Sequence, residues 1–330
     1  MTIKDLLKSA INTPVSGNYI ISDISLRPFA KKEGNFLQFK LADKTGKIDA
    51  NIWQNAEQFY NSIKGDSVVT VMGSIKTFDN KNQISIDTMV TCDLYDPHEL
   101  VPCSVYDPEV LFNQLLKILQ EEISDECIKR IVYRYLEDPK FVEKFKRCPG
   151  GKGGVHHAYI GGLLEHTLSV LKVCLSIADS YIFENINREI LAAGAFLHDI
   201  GKLEAYDYSP LITMTDRGRL LGHLPLGYER FCKDIDAETE IWMKYKKEDF
   251  RIGMNKIKTI IGHMILSHHG SYEFETCRLP MTLEALILSK ADDLDATVIR
   301  IAQLIDDIPK DWSAYDNLSK RMYYKAEEQE

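Results

Sequence analysis

The stretch Phe196-Leu197-His198-Asp199-Ile200-Gly201-Lys202 decides how the rest of the chain is read. Residues Glu189 to Leu197 are apolar enough for a buried helix, and Gly201 reads as its C-terminal stop, since glycine tolerates positive φ. An imidazole beside a carboxylate at a buried helix end is costly to desolvate without a partner. A divalent cation is an economical one, because both groups are good ligands for it.

Further imidazoles and carboxylates interrupt apolar patterns on either side. His166 shares a helical face with Leu163, Val170, Val173 and Ile177, and Asp292 breaks a stripe containing Ala285, Leu288 and Ile299. His223 follows Leu221-Gly222, and His268-His269-Gly270 closes another helical segment. One shared cluster of cations satisfies all of these groups at once. With only oxygen and nitrogen donors, Mn²⁺, Fe²⁺, Co²⁺, Zn²⁺ and Mg²⁺ all fit, and the imidazole-rich set favours the transition metals. His263, five residues before His268, falls on another helix face and is read as structural. Asp295, one turn from Asp292, is placed to orient a ligand from behind, whereas Asp293 faces solvent.

The 330 residues suffice for two domains, and 45% hydrophobic with 27% charged residues is ordinary for a chain that buries a core. No apolar run reaches the roughly 18–20 residues of a membrane span, and Met1-Thr2-Ile3-Lys4-Asp5 starts no signal peptide, so a cytoplasmic location without membrane partners is expected. The seven cysteines form no C-x-x-C pair and are read as reduced thiols. A net charge of −9 argues against a basic coat for duplex DNA. Residues 1–95 carry 11 Lys/Arg against 10 Asp/Glu, so the acidity lies beyond them and a near-neutral front domain can meet a polyanion.

That front has period two. Leu37, Phe39 and Leu41 take one face against Phe36, Gln38 and Lys40; Ile48, Ala50 and Ile52 alternate with Asp49, Asn51 and Trp53; Val69-Val71 and Ile84-Ile86 continue the pattern. Asp43-Lys44-Thr45-Gly46 and Asp79-Asn80-Lys81-Asn82 supply turns. Five short strands predict a small all-β OB-fold barrel over residues 1–95, of the kind that offers aromatic faces beside basic side chains to single strands. Phe36, Trp53 and Phe78, with Lys40 and Lys76, are the candidates for base stacking and phosphate contact. Pro97, Pro102 and Pro108 break both periodicities, placing a linker at 96–107. From 108 to 330 the pattern is helical, predicting an all-α domain. Before the histidines, Lys144, Lys146, Arg147 and Lys152 surround Pro149-Gly150-Gly151-Lys152-Gly153-Gly154, a basic loop suited to guiding phosphate, with Lys152 foremost. Its spacing matches no nucleotide-binding fingerprint.

The order His166, His198-Asp199, His223, His268-His269, Asp292 resembles the HD superfamily of metal-dependent phosphohydrolases. With Phe36 to Trp53 in front and His156-His157 followed by Gly161-Gly162-Leu163-Leu164-Glu165-His166-Thr167, the chain more closely resembles the YhaM-type 3′-to-5′ exoribonucleases of Gram-positive bacteria, which join an OB-fold to an HD domain. The resemblance implies that His166, His198, Asp199 and Asp292 hold one cation, that Asp199 bridges to a second, and that His223, His268 and His269 complete that second site. A single-cation site built from the first four residues stays open. It further implies that Lys202 contacts phosphate, that His157 touches substrate, and that Asp199 and Lys202 are the catalytic pair. Mn²⁺ is the foremost cation, single-stranded RNA the expected substrate with single-stranded DNA open, and nucleoside 5′-monophosphates the products. The rivals are an HD-type enzyme for a small nucleotide and a non-catalytic nucleic-acid binder. The aromatic tail of Trp312, Tyr315, Tyr323 and Tyr324 packs on the body or on a second copy, which leaves a homo-oligomer open.

Overall fold

A computed structural model describes residues 1–63, 67–152, 156–181, 185–245, 248–306 and 311–325. The chain divides into two compact units: Met1–Cys103 with Tyr208–Leu211, and Ser104–Asp207 with Ile212–Glu330.

In the first unit, alternating apolar residues make five strands that close on themselves. These are β1 (Pro14–Pro28), β2 (Asn35–Asp43), β3 (Gly46–Ile52), β4 (Val68–Phe78) and β5 (Lys81–Thr91), in the order β1-β2-β3-β5-β4 with β4 returning to β1. Only the β3–β5 pairing is parallel. Leu37, Phe39, Leu41, Ile48, Ala50, Ile52, Val69, Val71, Ile84 and Ile86 all point into the barrel, as their period-two spacing requires. Asp79 and Asn80 join β4 to β5 with φ of 49° and 59°, the left-handed pair that a two-residue hairpin of right-handed twist needs. A short helix, Ala56–Ser62, lies between β3 and β4 and packs on β1 and β2. One side chain departs from the alternation: Asn51, expected outside, is 2% exposed and donates from Nδ2 to Gln83 Oε1 at 2.9 Å. That bond satisfies the buried NH2 group, while Asn51 Oδ1 has no hydrogen-bond partner.

The expected linker holds a turn of helix, Pro97–Leu100. Asp96-Pro97, Asp107-Pro108 and Asp138-Pro139 all begin helices, the aspartate accepting from a first-turn N–H and the proline standing where no N–H is needed. Beyond Cys103 the described elements are mostly helices, with a two-stranded ribbon, Tyr206–Tyr208 with Ile212–Met214, and β-bridges in the tail, which the helical pattern did not foretell. At the centre of the second unit lies Arg188–Leu197, buried from Ile190 onward and packed against helices Gly162–Ser180, Glu248–Ser267 and Leu283–Asp306. Phe196 meets Phe141 and Phe145 edge-on, with centroids 6.3 and 5.7 Å away. The end of this helix is thereby held in a dry core. In the tail, Trp312 packs against Tyr324, and Arg300 of helix Leu283–Asp306 donates to Asp316 at 3.0 Å.

The pairing of β4 with β5 shifts register between Met72 and Gly73, where a Cβ on Gly73 would lie 2.2 Å from Ser85 O and 3.0 Å from Ile86 Cα. Backbone cannot step aside cheaply, so Gly73→Ala is expected to destabilise the barrel by about 1–3 kcal/mol. Urea denaturation reads this as a lowered midpoint, and an unchanged midpoint contradicts the close approach.

Candidate metal centre

Five segments of the helical unit bring their side chains to one point. His166 comes from helix Gly162–Ser180 and Asp292 from helix Leu283–Asp306. His198-Asp199 occupies the turn after Arg188–Leu197, His223 opens helix His223–Trp242, and His268-His269 follows Glu248–Ser267. Gly201, expected as a positive-φ stop, has φ −66° instead. Its role is close approach: a Cβ would lie 2.0 Å from His223 O and 2.5 Å from Gly227 N. Glycine is what lets the start of helix His223–Trp242 reach the Asp199 turn.

Helix ends orient the imidazoles. His198 Nδ1 lies 2.8 Å from Ala195 O and His268 Nδ1 2.9 Å from Ile265 O, each using a carbonyl left free at its helix C-terminus. His269 Nδ1 lies 2.6 Å from Phe274 O, and His166 Nδ1 lies 2.7 Å from Asp295 Oδ2. A carbonyl or carboxylate only accepts, so in all four rings Nδ1 is the donor and Nε2 is the nitrogen turned toward the centre. His166 Nε2 and His198 Nε2 stand 3.2 Å apart. Asp199 Oδ2 is 3.4 and 3.2 Å from them, and Asp292 Oδ1 is 3.0 and 3.9 Å. On the other side, Asp199 Oδ1 faces His223 Nε2 at 3.3 Å and His268 Nε2 at 3.6 Å. One carboxylate thus turns each oxygen to a different set of imidazoles, and His269 clusters with His223 and His268 on the second side.

The donor set fits divalent cations. Asp199 is 1% exposed, yet neither of its oxygens, nor His223 Nε2, has a hydrogen-bond partner. Lys202 Nζ, 2.6 Å from Asp199 Oδ2, contributes charge without hydrogen-bond geometry. Burial opposes the Asp199 charge, but Lys202 and then His198 outweigh it and hold the carboxyl well below its ordinary range. Burial likewise opposes the Lys202 charge, and Asp199 raises that ammonium above the usual lysine value. Desolvation pushes His268 well below the usual imidazole range and lowers His223, which keeps both lone pairs free of protons. At His166 desolvation is outweighed by Asp199, Asp292 and Asp295, so that corner attracts positive charge. A third grouping, His157 with His166 and Asp295, is already joined by hydrogen bonds.

Not every expected residue lies at the centre. His157, expected to touch substrate, is fully buried, with Nε2 2.9 Å from Asp295 Oδ2 and Nδ1 2.8 Å from Tyr159 Oη. Both nitrogens are engaged, so it has nothing to offer a ligand. The backbone at His157 is left-handed, φ 51°, and its ring stands at 90° to that of its neighbour His156, with centroids 6.0 Å apart. That ring is half-buried, lies 5.5 Å from the His166 ring, has no hydrogen bond among the described residues, and is pushed down to about 3 by burial and then by Lys202. Sequence reasoning quoted His156 and gave it no role; the doubled histidine was the signal. Lys152 is exposed, and Gly153 and Gly154 of the basic loop lie outside the described residues. His263 Nε2 accepts from Met281 N at 2.9 Å and stands apart from the cluster. Asp293 is exposed.

On the barrel, Phe36 and Trp53 stack with centroids 4.9 Å apart. Phe29, missed in the sequence, joins them at 5.5 and 6.3 Å, with Lys32 Nζ 3.9 Å above its ring. The run Arg27-Pro28-Phe29 with Lys31-Lys32 carried the signal, a basic stretch around an aromatic. Lys40 pairs with Asp23 at 3.6 Å and Lys76 donates to Asn12 at 2.7 Å, so both are already engaged. Phe78 is 66% exposed and makes no ring contact with the stack.

Residues 163–297 match the HD domain family, and residues 20–91 match the OB-fold nucleic acid binding domain. The chain joins an OB-fold to an HD domain. It is similar to the 3′-5′ exoribonuclease YhaM of Bacillus velezensis, 26% identical over 93% of each chain. The namesake from a Geobacillus species is 28% identical over 88% of this chain and 85% of its own, and that of Listeria monocytogenes is 26% identical over 85% and 84%. No helix among the described residues is long and apolar enough to cross a membrane.

The HD domain therefore carries a centre built for divalent cations. A ligand that binds only the folded state stabilises it by about 2.7 kcal/mol at a hundred times its dissociation constant. Adding Mn²⁺ to chelator-stripped protein is expected to raise the thermal midpoint of the HD domain, and Asp199→Asn to abolish the rise. A rise of equal size in Asp199→Asn removes Asp199 from the centre.

Proposed function

We propose that this chain is a metal-dependent 3′-to-5′ exoribonuclease that hydrolyses single-stranded RNA to nucleoside 5′-monophosphates. One observation carries the reading: Asp199 presents Oδ2 to His166 and His198 and Oδ1 to His223 and His268, the arrangement that two cations on either side of one carboxylate require. The similarity to YhaM enzymes over nearly the whole chain supports the substrate and the polarity.

His166, His198, Asp292 and Asp199 Oδ2 would hold one cation; His223, His268, His269 and Asp199 Oδ1 would hold the other. When bound, such a pair supplies a polarised phosphate and a readily deprotonated water. Lys202 is buried, charged and within reach of the same Asp199 oxygen, so its ammonium is preorganised to offset charge gathering on the nonbridging oxygens. His156 is the imidazole with free nitrogens near His166 and takes the substrate-contact role first given to His157. On the barrel, the Phe29, Phe36 and Trp53 pile offers an exposed ring edge and face to bases, with Lys32 beside it for phosphate. Stacking of this kind ignores base identity, which suits an enzyme that removes nucleotides one after another.

RNA labelled at its 5′ end and incubated with the protein and Mn²⁺ is expected to shorten stepwise. Release of the label as the first mononucleotide reverses the polarity, and no mononucleotide at all, with cation bound, ends the reading. Faster turnover of a cyclic dinucleotide than of RNA favours a small-nucleotide enzyme. Lys202→Met should lower kcat by about 10²–10³. Trp53→Ala should raise KM for RNA about tenfold with kcat held within threefold, as loss of one stacking contact requires; a fall in kcat with KM unchanged places Trp53 outside the RNA path.

A further inference from the structure

The two halves of the centre differ in what stands behind their ligands. His198, His268 and His269 rest their Nδ1 on backbone carbonyls, which are neutral. His166 rests its Nδ1 on the carboxylate of Asp295. That carboxylate is 5% exposed and is held from three directions: His166 and His157 on Oδ2, at 2.7 and 2.9 Å, and the Ser169 hydroxyl on Oδ1. The brace continues outward, since Tyr159 Oη lies 2.8 Å from His157 Nδ1 and donates to Glu165 Oε1 at 2.9 Å, while Ser104 Oγ donates to Glu165 Oε2 at 2.8 Å. An imidazole hydrogen-bonded to a fixed carboxylate is a stronger donor at its other nitrogen and cannot rotate away from its ligand.

Charge divides the halves in the same sense. The His166 half has Asp292 to itself, shares Asp199, and has Asp295 behind it. The His223 half has only its share of Asp199. The His166 and His198 side chains are fully buried, whereas that of His223 is 19% exposed and His269 is half-buried. A divalent cation in the first half would meet Asp292 and one oxygen of Asp199 with a third carboxylate, Asp295, behind His166; one in the second would meet three rings and the other oxygen of Asp199 with no carboxylate behind them.

We infer that the halves load unequally: the His166, His198, Asp199 and Asp292 half retains its cation, the His223, His268 and His269 half exchanges its cation with solution, and Asp295, braced by His157 and Ser169, sets the difference. Occupancy of the outer half then follows the free concentration of divalent cation while the inner half stays loaded. This rests on the two-cation reading above and not on the identity of the substrate.

The test strips the full-length protein with chelator and titrates it with Mn²⁺ alone, following free Mn²⁺ by electron paramagnetic resonance. Two classes of one ion each are expected, with dissociation constants at least tenfold apart. Asp295→Asn should weaken the tight class by about 10–100-fold and leave the weak class within twofold, and His269→Ala should remove the weak class alone. Ser169→Ala, which keeps the charge and removes one brace, should weaken the tight class in the same direction by a smaller factor, and it serves where Asp295→Asn does not fold. Two equal sites, a single ion per chain, or Asp295→Asn or Ser169→Ala acting on the weak class or on both alike overturns the inference. Two unequal classes in a protein that leaves RNA intact overturn the exoribonuclease reading and leave this one standing.

Discussion

A buried carboxylate with neither oxygen in a hydrogen bond is the constraint on which this protein's helical unit depends. Burying an isolated carboxylate costs far more than a domain can spare, unless charge of the opposite sign is held close. At Asp199 that charge comes from Lys202 and from the cations its neighbours are arranged to bind. The need explains the architecture: five segments, distant in sequence, bring side chains to the same point. The core around Phe196 keeps the Asp199 turn from moving. Were the turn mobile, the oxygens could be hydrated instead and the requirement for cations would lapse.

The imidazoles are positioned by one recurring device. His198 and His268 each sit just past a helix and bond the carbonyl three residues back. A helix C-terminus has carbonyls without intrahelical partners, so the bond satisfies the backbone and sets the tautomer together. It also explains why both histidines fall in doublets with a second ligand, His198-Asp199 and His268-His269. The first residue closes the helix, and the second reaches across the gap.

Much of this was legible in the sequence because it depends on period and on chemical type. The barrel strands follow from Leu37, Phe39, Leu41 and their counterparts, since a closed sheet buries every second residue. The centre follows from inward histidines and aspartates whose burial makes no sense one at a time. What was not legible depends on contacts between segments. Asn51 is buried because Gln83 lies across from it, and Gly201 is required by the carbonyl of His223 rather than by its own φ. Pro97 and Pro108, read as breakers, begin helices instead, because each follows a capping aspartate. That His157 is engaged at both nitrogens and His156 is not depends on Asp295 and Tyr159 meeting the second ring, which nothing in a His-His doublet announces.

Charge accounting connects the centre to the reaction proposed for it. With the imidazoles counted as neutral ligands, the carboxylates of Asp199, Asp292 and Asp295 stand against the ammonium of Lys202 and leave two negative charges in a dry pocket. Such a pocket repels a phosphodiester. Two divalent cations turn the excess into two positive charges, and a diester under attack by an anionic oxygen carries two negative ones. One cation would bring the pocket only to neutrality and give no net pull on the transition state. An exchangeable outer position would therefore do more than complete a ligand set: its occupancy would set the sign of the field that the substrate meets. Lys202 bears on the same balance, because a cation at Asp199 Oδ2 competes with the ammonium for that oxygen. The ammonium is then freer to turn its charge toward phosphate.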